Sequence, residues 1–287
     1  GRKEKRITKV LTVSGWEGKE AEAQAMGVTL LPIQIRFGRE EFLDGVNLSH
    51  REFFEKLIES NELPQTSQIN EYRYEEALSR LTADGSEVVV ITLSSRLSGT
   101  YANAVRAAAK FGGKVRVVDS LNACIGERIL LQYALRLVKE GGSAAEIAAE
   151  LDEKKSKIQL LAVLDTLKYL RKGGRISSVA AFAGEMLSIK PVVRVEKGEV
   201  RLAGKALGSR KGNNLLNQLV STCGGIDFGM PVALAYSGLS DAVLQKYIAD
   251  SEALWKGKTD ALPTYMIGST IGTHVGPGAI AVAFFAN

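Results

Sequence analysis

Apolar positions along the chain follow two rhythms. Short β-branched runs at Lys9–Ser14 (KVLTVS), Ser86–Leu93 and Lys114–Asp119 predict strands. Val88 to Leu93 is nearly apolar throughout, the pattern of a strand covered on both faces of a parallel sheet. Between these runs the spacing becomes helical. Ser49-His50-Arg51-Glu52 is a capping box, opening a helix with Phe53, Phe54, Leu57 and Ile58 on one side. Helices follow over 71–82, over the Ala-rich segment 101–110 and over 121–139. A second capping box, Ser143-Ala144-Ala145-Glu146, starts one that runs to about Lys155. Thr29–Phe37 alternates and predicts a strand with one exposed face; 37–45 is a loop or hairpin. Strand and helix alternate throughout, which predicts a three-layer α/β/α domain on a parallel sheet.

Past 156–158 the pattern changes. Ile158–Leu164 predicts a strand, 166–171 a short helix and 177–186 another helix. Ile189–Val195 and Val200–Leu202 form a hairpin about Lys197-Gly198. Helices over 209–220 and 241–253 bracket a strand at Val232–Tyr236. Two last strands, Thr264–Ile267 and Ala279–Phe285, flank a glycine-rich loop over 268–278. Hairpins with helices predict a two-layer α/β domain with a mixed sheet, so the expected division is 1–157 and 158–287.

A length of 287 residues suits two such domains, and 45% hydrophobic with 24% charged residues is ordinary for a globular chain. The net charge of +5 is concentrated in part at Arg2, Lys3, Lys5, Arg6 and Lys9, which read as a solvated tail. There is no basic stripe interleaved with aromatics, so nucleic acid is not an expected partner. Cys124 and Cys223 carry no CxxC spacing and cannot make a metal site alone; reduced, buried thiols are expected. No apolar window reaches 18 residues and no signal-peptide pattern is present, so the expected location is the cytoplasm, without an integral membrane segment.

The candidate chemistry begins at the turn after Leu93: Ser94, Ser95, Ser98, Gly99 and Thr100. Ligands of α/β sheets collect at carboxyl ends of strands, beside helix N-termini that offer free N–H groups. Ser98 is a candidate N-cap. These hydroxyls either cap a helix or meet a small anionic head group. Thr66 and Ser67 cap the next helix or add hydroxyls beside the same turn. His274, in the glycine-rich loop, is the imidazole placed for a site, whereas His50 reads as a solvated residue of a first helical turn. Gly173-Gly174-Arg175 is an anion loop or a helix cap. Arg171, Arg175, Lys205, Arg210 and Lys211 form either a patch for an acidic partner or phosphate, or scattered solvated charges. The GxSxG, Walker and GxGxxG signatures are absent. Ser95 or Ser98 with His274 as base would make a hydrolase or acyl transferase.

Several segments together resemble the DegV family: Thr66-Ser67-Gln68, Ser94 to Tyr101, Val118-Asp119-Ser120, Leu164 to Ile176, Ile189-Lys190-Pro191 and Gly272 to Gly278. The resemblance implies two α/β domains with a long-chain fatty acid, such as palmitate, held between them and its tail in the second. It implies that the carboxylate meets hydroxyls of the interface, with Thr66, Ser95, Ser98, Gly99 and His274 as the site residues. It also implies a non-catalytic, cofactor-free subunit that presents the acid to an ATP-binding fatty acid kinase subunit. A dihydroxyacetone-kinase-like subunit, in which a histidine holds a small polar ligand covalently, is the fold-level alternative. One segment departs from the family: Thr12-Val13-Ser14-Gly15-Trp16 stands where a Thr-Asp-Ser turn is usual. Physical chemistry is compatible with a lipid. Each buried CH₂ is worth about 0.8 kcal/mol, so a sixteen-carbon tail gains on the order of 10 kcal/mol before ordering costs. An imidazole of ordinary pKa at His274 would tighten carboxylate binding below a pH of about 6.5.

Overall fold

The computed structural model describes residues 7–177 and 188–287. The helix expected over 177–186 lies almost wholly outside the described residues, as do Arg2, Lys3, Lys5 and Arg6.

Four parallel strands form the first sheet: β1 (Lys9–Val13), β2 (Val28–Leu31), β6 (Val88–Thr92) and β7 (Val115–Asp119), in the order β2-β1-β6-β7. Every residue of β6 is buried, as its unbroken apolar run requires. Helices α3 (Glu71–Thr82) and α4 (Thr100–Ala108) pack on β6 and on each other. Helices α5 (Cys124–Lys139) and α6 (Ala144–Lys154) pack together, α6 lying on β6 and β7. Both capping boxes form, at Ser49 for α2 (His50–Glu59) and at Ser143 for α6.

The strand expected over 29–37 is two strands in two sheets. After β2 the chain turns at Pro32, which has no N–H to continue the ladder. It resumes as β3 (Gln34–Phe37), which pairs antiparallel with β4 (Glu40–Leu43) and β5 (Gln65–Thr66). This small sheet places Thr66 opposite Ile35.

A six-stranded mixed sheet follows: β8 (Ile158–Val163), β9 (Ile189–Glu196), β10 (Glu199–Leu207), β11 (Ala233–Tyr236), β12 (Thr264–Met266) and β13 (Ile280–Phe285). Its order is β10-β9-β8-β13-β11-β12. Alternation gives it two different faces. Leu161, Val163 and Val192 join a core with Leu216 and Val220 of α8 (Gly208–Thr222). Leu160, Ala281 and Ala283 face the other way, into the core built on the first sheet and α5. Tyr133 of α5 meets Phe285 edge to face at 5.9 Å between ring centres. The structure is thus an α/β fold with one parallel and one mixed sheet.

The segment read as a glycine-rich loop contains a helix, α10 (Ser269–Val275). Gly268 and Gly276 bracket this helix, and Gly272 lies within it. A Cβ at Gly272 would come within 2.6 Å of the Phe53 ring and 2.9 Å of Phe54, so small residues here let α10 lie close on α2. The segment expected as a loop is thus in part a helix, with Gly272 at its packing face.

Candidate ligand-binding site

The first sheet, the six-stranded sheet and α10 enclose a cavity of about 420 Å³, within the range of small-molecule pockets. Its floor is the inward face of the six-stranded sheet, with Leu160, Ala162, Leu164, Val193, Ala279 and Ala281. Ala162 and Ala281 are direct cross-strand partners; two methyl side chains side by side leave room above the strands. Leu93, Ile33, Ala123 and Cys124 close the opposite wall. From α10, residues Thr270, Ile271, His274 and Val275 line one side, the stripe that helical periodicity sets.

Polar groups gather at one end, through a continuous set of neighbours. Thr66 Oγ1 lies 3.3 Å from His274 Nε2. The edge of the His274 ring that carries Nδ1 packs against Gly173, and Nδ1 is buried without a partner. Arg175 donates from Nε to Leu97 O at 3.1 Å and from Nη1 to Gly173 O, tying the turn after β6 to the loop after helix α7 (Lys168–Lys172). Ser98 Oγ donates to Thr100 Oγ1 at 2.8 Å and accepts from the Thr100 N–H at 3.1 Å. Gly99 packs directly on the Gln68 amide; a Cβ there would sit 1.8 Å from Gln68 Oε1. Ser67, Gln68 and Gly99 are exposed, so this end reaches solvent while the floor is covered.

Thr66, Ser98, Gly99, Arg175 and His274 therefore line one cavity. Ser95 does not. The turn sends its side chain to solvent while its N–H bonds Asp119 Oδ1 at 3.1 Å. Arg171 lies on α7 and Arg210 in the first turn of α8, neither lining the cavity; α8 covers the opposite face of the sheet. The expected N-cap at Ser98 is displaced by one residue, to Gly99. Thr66 and Ser67 do not cap α3, because Asn70 accepts the Arg73 N–H at 2.9 Å. Cys124 and the alanine floor were not assigned to the site by sequence; the signal for the floor was the alternation of alanines at 279, 281 and 283 into and along β13.

Burial, with the Arg175 charge nearby, pushes the His274 imidazole down to about 4. The ring is therefore neutral between pH 6 and 8, against the expectation of titration near 6.5. His50 is also not a solvated residue: it is 5% exposed, packed against Gly268, and its burial lowers its pKa.

The departing segment at 12–16 serves a polar seam beside the cavity. Ser14 Oγ accepts from the Ile33 N–H at 2.8 Å and lies 3.1 Å from Thr270 Oγ1. Asp44 Oδ2 accepts from the Thr270 hydroxyl at 2.6 Å and from its N–H at 3.2 Å. Glu17 accepts from the Gly268 N–H. Desolvation pushes its carboxyl up to about 8, against the opposing pull of that N–H. Ser14 and Glu17 follow β1 and Asp44 follows β4, so these three side chains fasten the start of α10 to the first sheet and to the small one.

Fold and cavity together define an α/β protein built around an enclosed apolar volume with a polar mouth. The DegV family model, described as an uncharacterised protein family, matches residues 8–287. A DegV domain-containing protein of Clostridium perfringens is 30% identical over 97% of both chains. The chain belongs to the DegV family. Among solved structures, a DegV family protein of Eubacterium eligens loaded with heptadecanoic acid superposes with a TM-score of 0.83 at 26% identity, over 98% of this chain and 100% of that one. DegV of Bacillus subtilis, a fatty-acid-binding protein, gives 0.82 at 26% identity over 97% and 98%. A Thermus thermophilus DegV family protein described for fatty acid binding shares the fold with a TM-score of 0.86 at 24% identity, over 98% and 100%.

Proposed function

We propose that this protein binds a long-chain fatty acid, carboxylate at the Thr66–Ser98–His274–Arg175 end and acyl chain over the alanine floor. The observation that carries the reading is a cavity with its polar groups gathered at one end. Such a volume suits one ionised head on a long apolar tail. Relatives with the same fold hold fatty acids. The Thr66 and Ser98 hydroxyls and one guanidinium supply directional donors to the carboxylate, with the neutral His274 ring bonded to Thr66 behind them. Because the mouth reaches solvent, the head group is accessible to a second protein. The role we assign is that of a non-catalytic cytoplasmic subunit, organised as units 1–157 and 158–287, presenting the carboxylate to an ATP-binding fatty acid kinase subunit. The serine-hydrolase alternative is weakened because His274 bonds Thr66 rather than Ser95 or Ser98.

Native mass spectrometry of the purified protein tests binding: the expected result is a non-covalent adduct with the mass of a long-chain fatty acid. A covalent three-carbon adduct would instead favour the dihydroxyacetone-kinase-like reading. Presentation is tested separately, by ATP-dependent acyl-phosphate formation when the loaded protein is mixed with a kinase subunit.

A further inference from the structure

The six-stranded sheet has one part that is not backed by the sheet itself. Strands β9 and β10 pair with each other from 189 to 207, but β9 pairs with β8 only through Arg194, Val193 and Val192. Residues 195–200 therefore extend beyond the pairing with β8 as a two-stranded ribbon, held there by the packing of Val195 and Val200 on neighbouring apolar side chains. Two of them, Val195 and Val200, line the cavity. A two-stranded hairpin without further support is at best marginally stable in water.

The tip of this ribbon is fastened across the cavity to the other sheet. Ser94, fully buried at the end of β6, donates from Oγ to Gly198 O at 2.7 Å. Its Oγ also accepts the Arg96 N–H at 3.2 Å. Gly198 has φ +82°, and a Cβ there would meet Ser94 Oγ at 2.5 Å and Leu121 at 3.0 Å. Outside this buried contact, Arg96 pairs with Glu199 at 3.5 Å, with both side chains more than a third exposed. The opposite wall, α10, is held by the buried bonds to Ser14, Glu17 and Asp44. The ribbon is thus attached by one buried hydrogen bond, an exposed ion pair and the packing of Val195 and Val200, and it joins the edge of a sheet rather than its middle.

We propose that the 195–200 ribbon is a hinged strap over the cavity, and that release of Gly198 from Ser94 is the step that admits and discharges the acyl ligand. This rests on the reading of the cavity as a fatty-acid site. Swinging the ribbon costs one buried hydrogen bond, an exposed ion pair and the packing of Val195 and Val200, while the pairing of β8 with β9 stays intact.

Stopped-flow displacement of an anthroyloxy-labelled stearate by unlabelled stearate measures the exchange. Ser94→Ala should release the probe about five-fold faster, the ratio expected when one net buried hydrogen bond is lost. Entry should accelerate as well, so affinity changes less than either rate. Should Ser94→Ala fail to fold, the surface pair Arg96→Cys with Glu199→Cys, in a Cys223→Ser background, is joined by a short reducible cross-linker. Cross-linking should slow exchange by an order of magnitude or more, and reduction should restore it. A cross-linked protein that exchanges at the wild-type rate overturns the strap, as does a folded Ser94→Ala with unchanged rates. Failure of the unmodified protein to bind the probe would instead overturn the fatty-acid reading.

Discussion

At the polar end of the cavity an imidazole, two hydroxyls and a guanidinium face one volume, and protonation affects them differently. Thr66 and Ser98 do not titrate, and each contributes about 1 kcal/mol if it donates to a carboxylate. Replacing both with Ala should weaken fatty-acid binding roughly 10- to 30-fold while barely moving the thermal midpoint. A titration with unchanged affinity in the folded double variant would remove them from the site. His274 behaves differently from an ordinary imidazole, because burial holds its pKa at about 4. Between 6.5 and 4 the unfolded chain takes up a proton that the folded protein refuses, so stability is lost as pH falls through that window. Melts of His274→Gln should lack this part of the acid loss. Its affinity profile from pH 6 to 8 should run parallel to the wild type, both without a His-linked slope. Arg175 and Arg210 divide in the same way. Arg175→Ala should lower fatty-acid affinity because the side chain lines the cavity, whereas Arg210→Glu, behind the sheet, should leave affinity alone. Equal losses in both variants would contradict the placement.

At the scale of elements, α10 is the piece on which the cavity depends, and its first turn is held by carboxyls taken out of water. Glu17 is pushed up to about 8 by desolvation, so the folded state keeps a proton that the unfolded carboxyl releases near 4.5. Its contribution is fully present below pH 4.5 and is lost as pH rises through 8. Glu127, fully buried on α5 beneath Thr12 Oγ1, is raised by burial and acts with the same sign. Glu17→Gln keeps the neutral form at every pH. Chemical denaturation at pH 5 and pH 8 should therefore show a smaller loss between the two for Glu17→Gln than for the wild type. An identical difference in both proteins would mean that Glu17 is not protonated in the fold.

Over the whole molecule, the cavity belongs to no single sheet. Its floor comes from β8, β9 and β13, its lid turn from the end of β6, its side from α10, and Thr66 from the small sheet β4-β3-β5. Arg175 and the Ser94–Gly198 bond cross between these parts, 78 and 104 residues apart in sequence. With the proposed strap released, a volume assembled this way would widen without unfolding either sheet. That is what admission of a long, flexible tail requires.

Local chemistry was enough for much of this architecture. The fully apolar run of β6, the two capping boxes and the hairpin about Lys197-Gly198 each express a preference that neighbours within a few residues satisfy. The hydroxyl turn after β6 was legible for the same reason, as a strand end followed by a helix start. Tertiary structure decided the rest. Pro32 could be seen in the sequence, yet only the positions of two sheets made it the point where one strand becomes two. Gly272 lies in a packing face because Phe53 and Phe54 press against it, and no local signal contains those rings. The neutrality of His274 and Glu17 follows from loss of water, which depends on what the distant chain places over them. Ser95 and Ser98 are chemically alike in sequence. Only the path of the turn sends one to solvent and the other to the cavity.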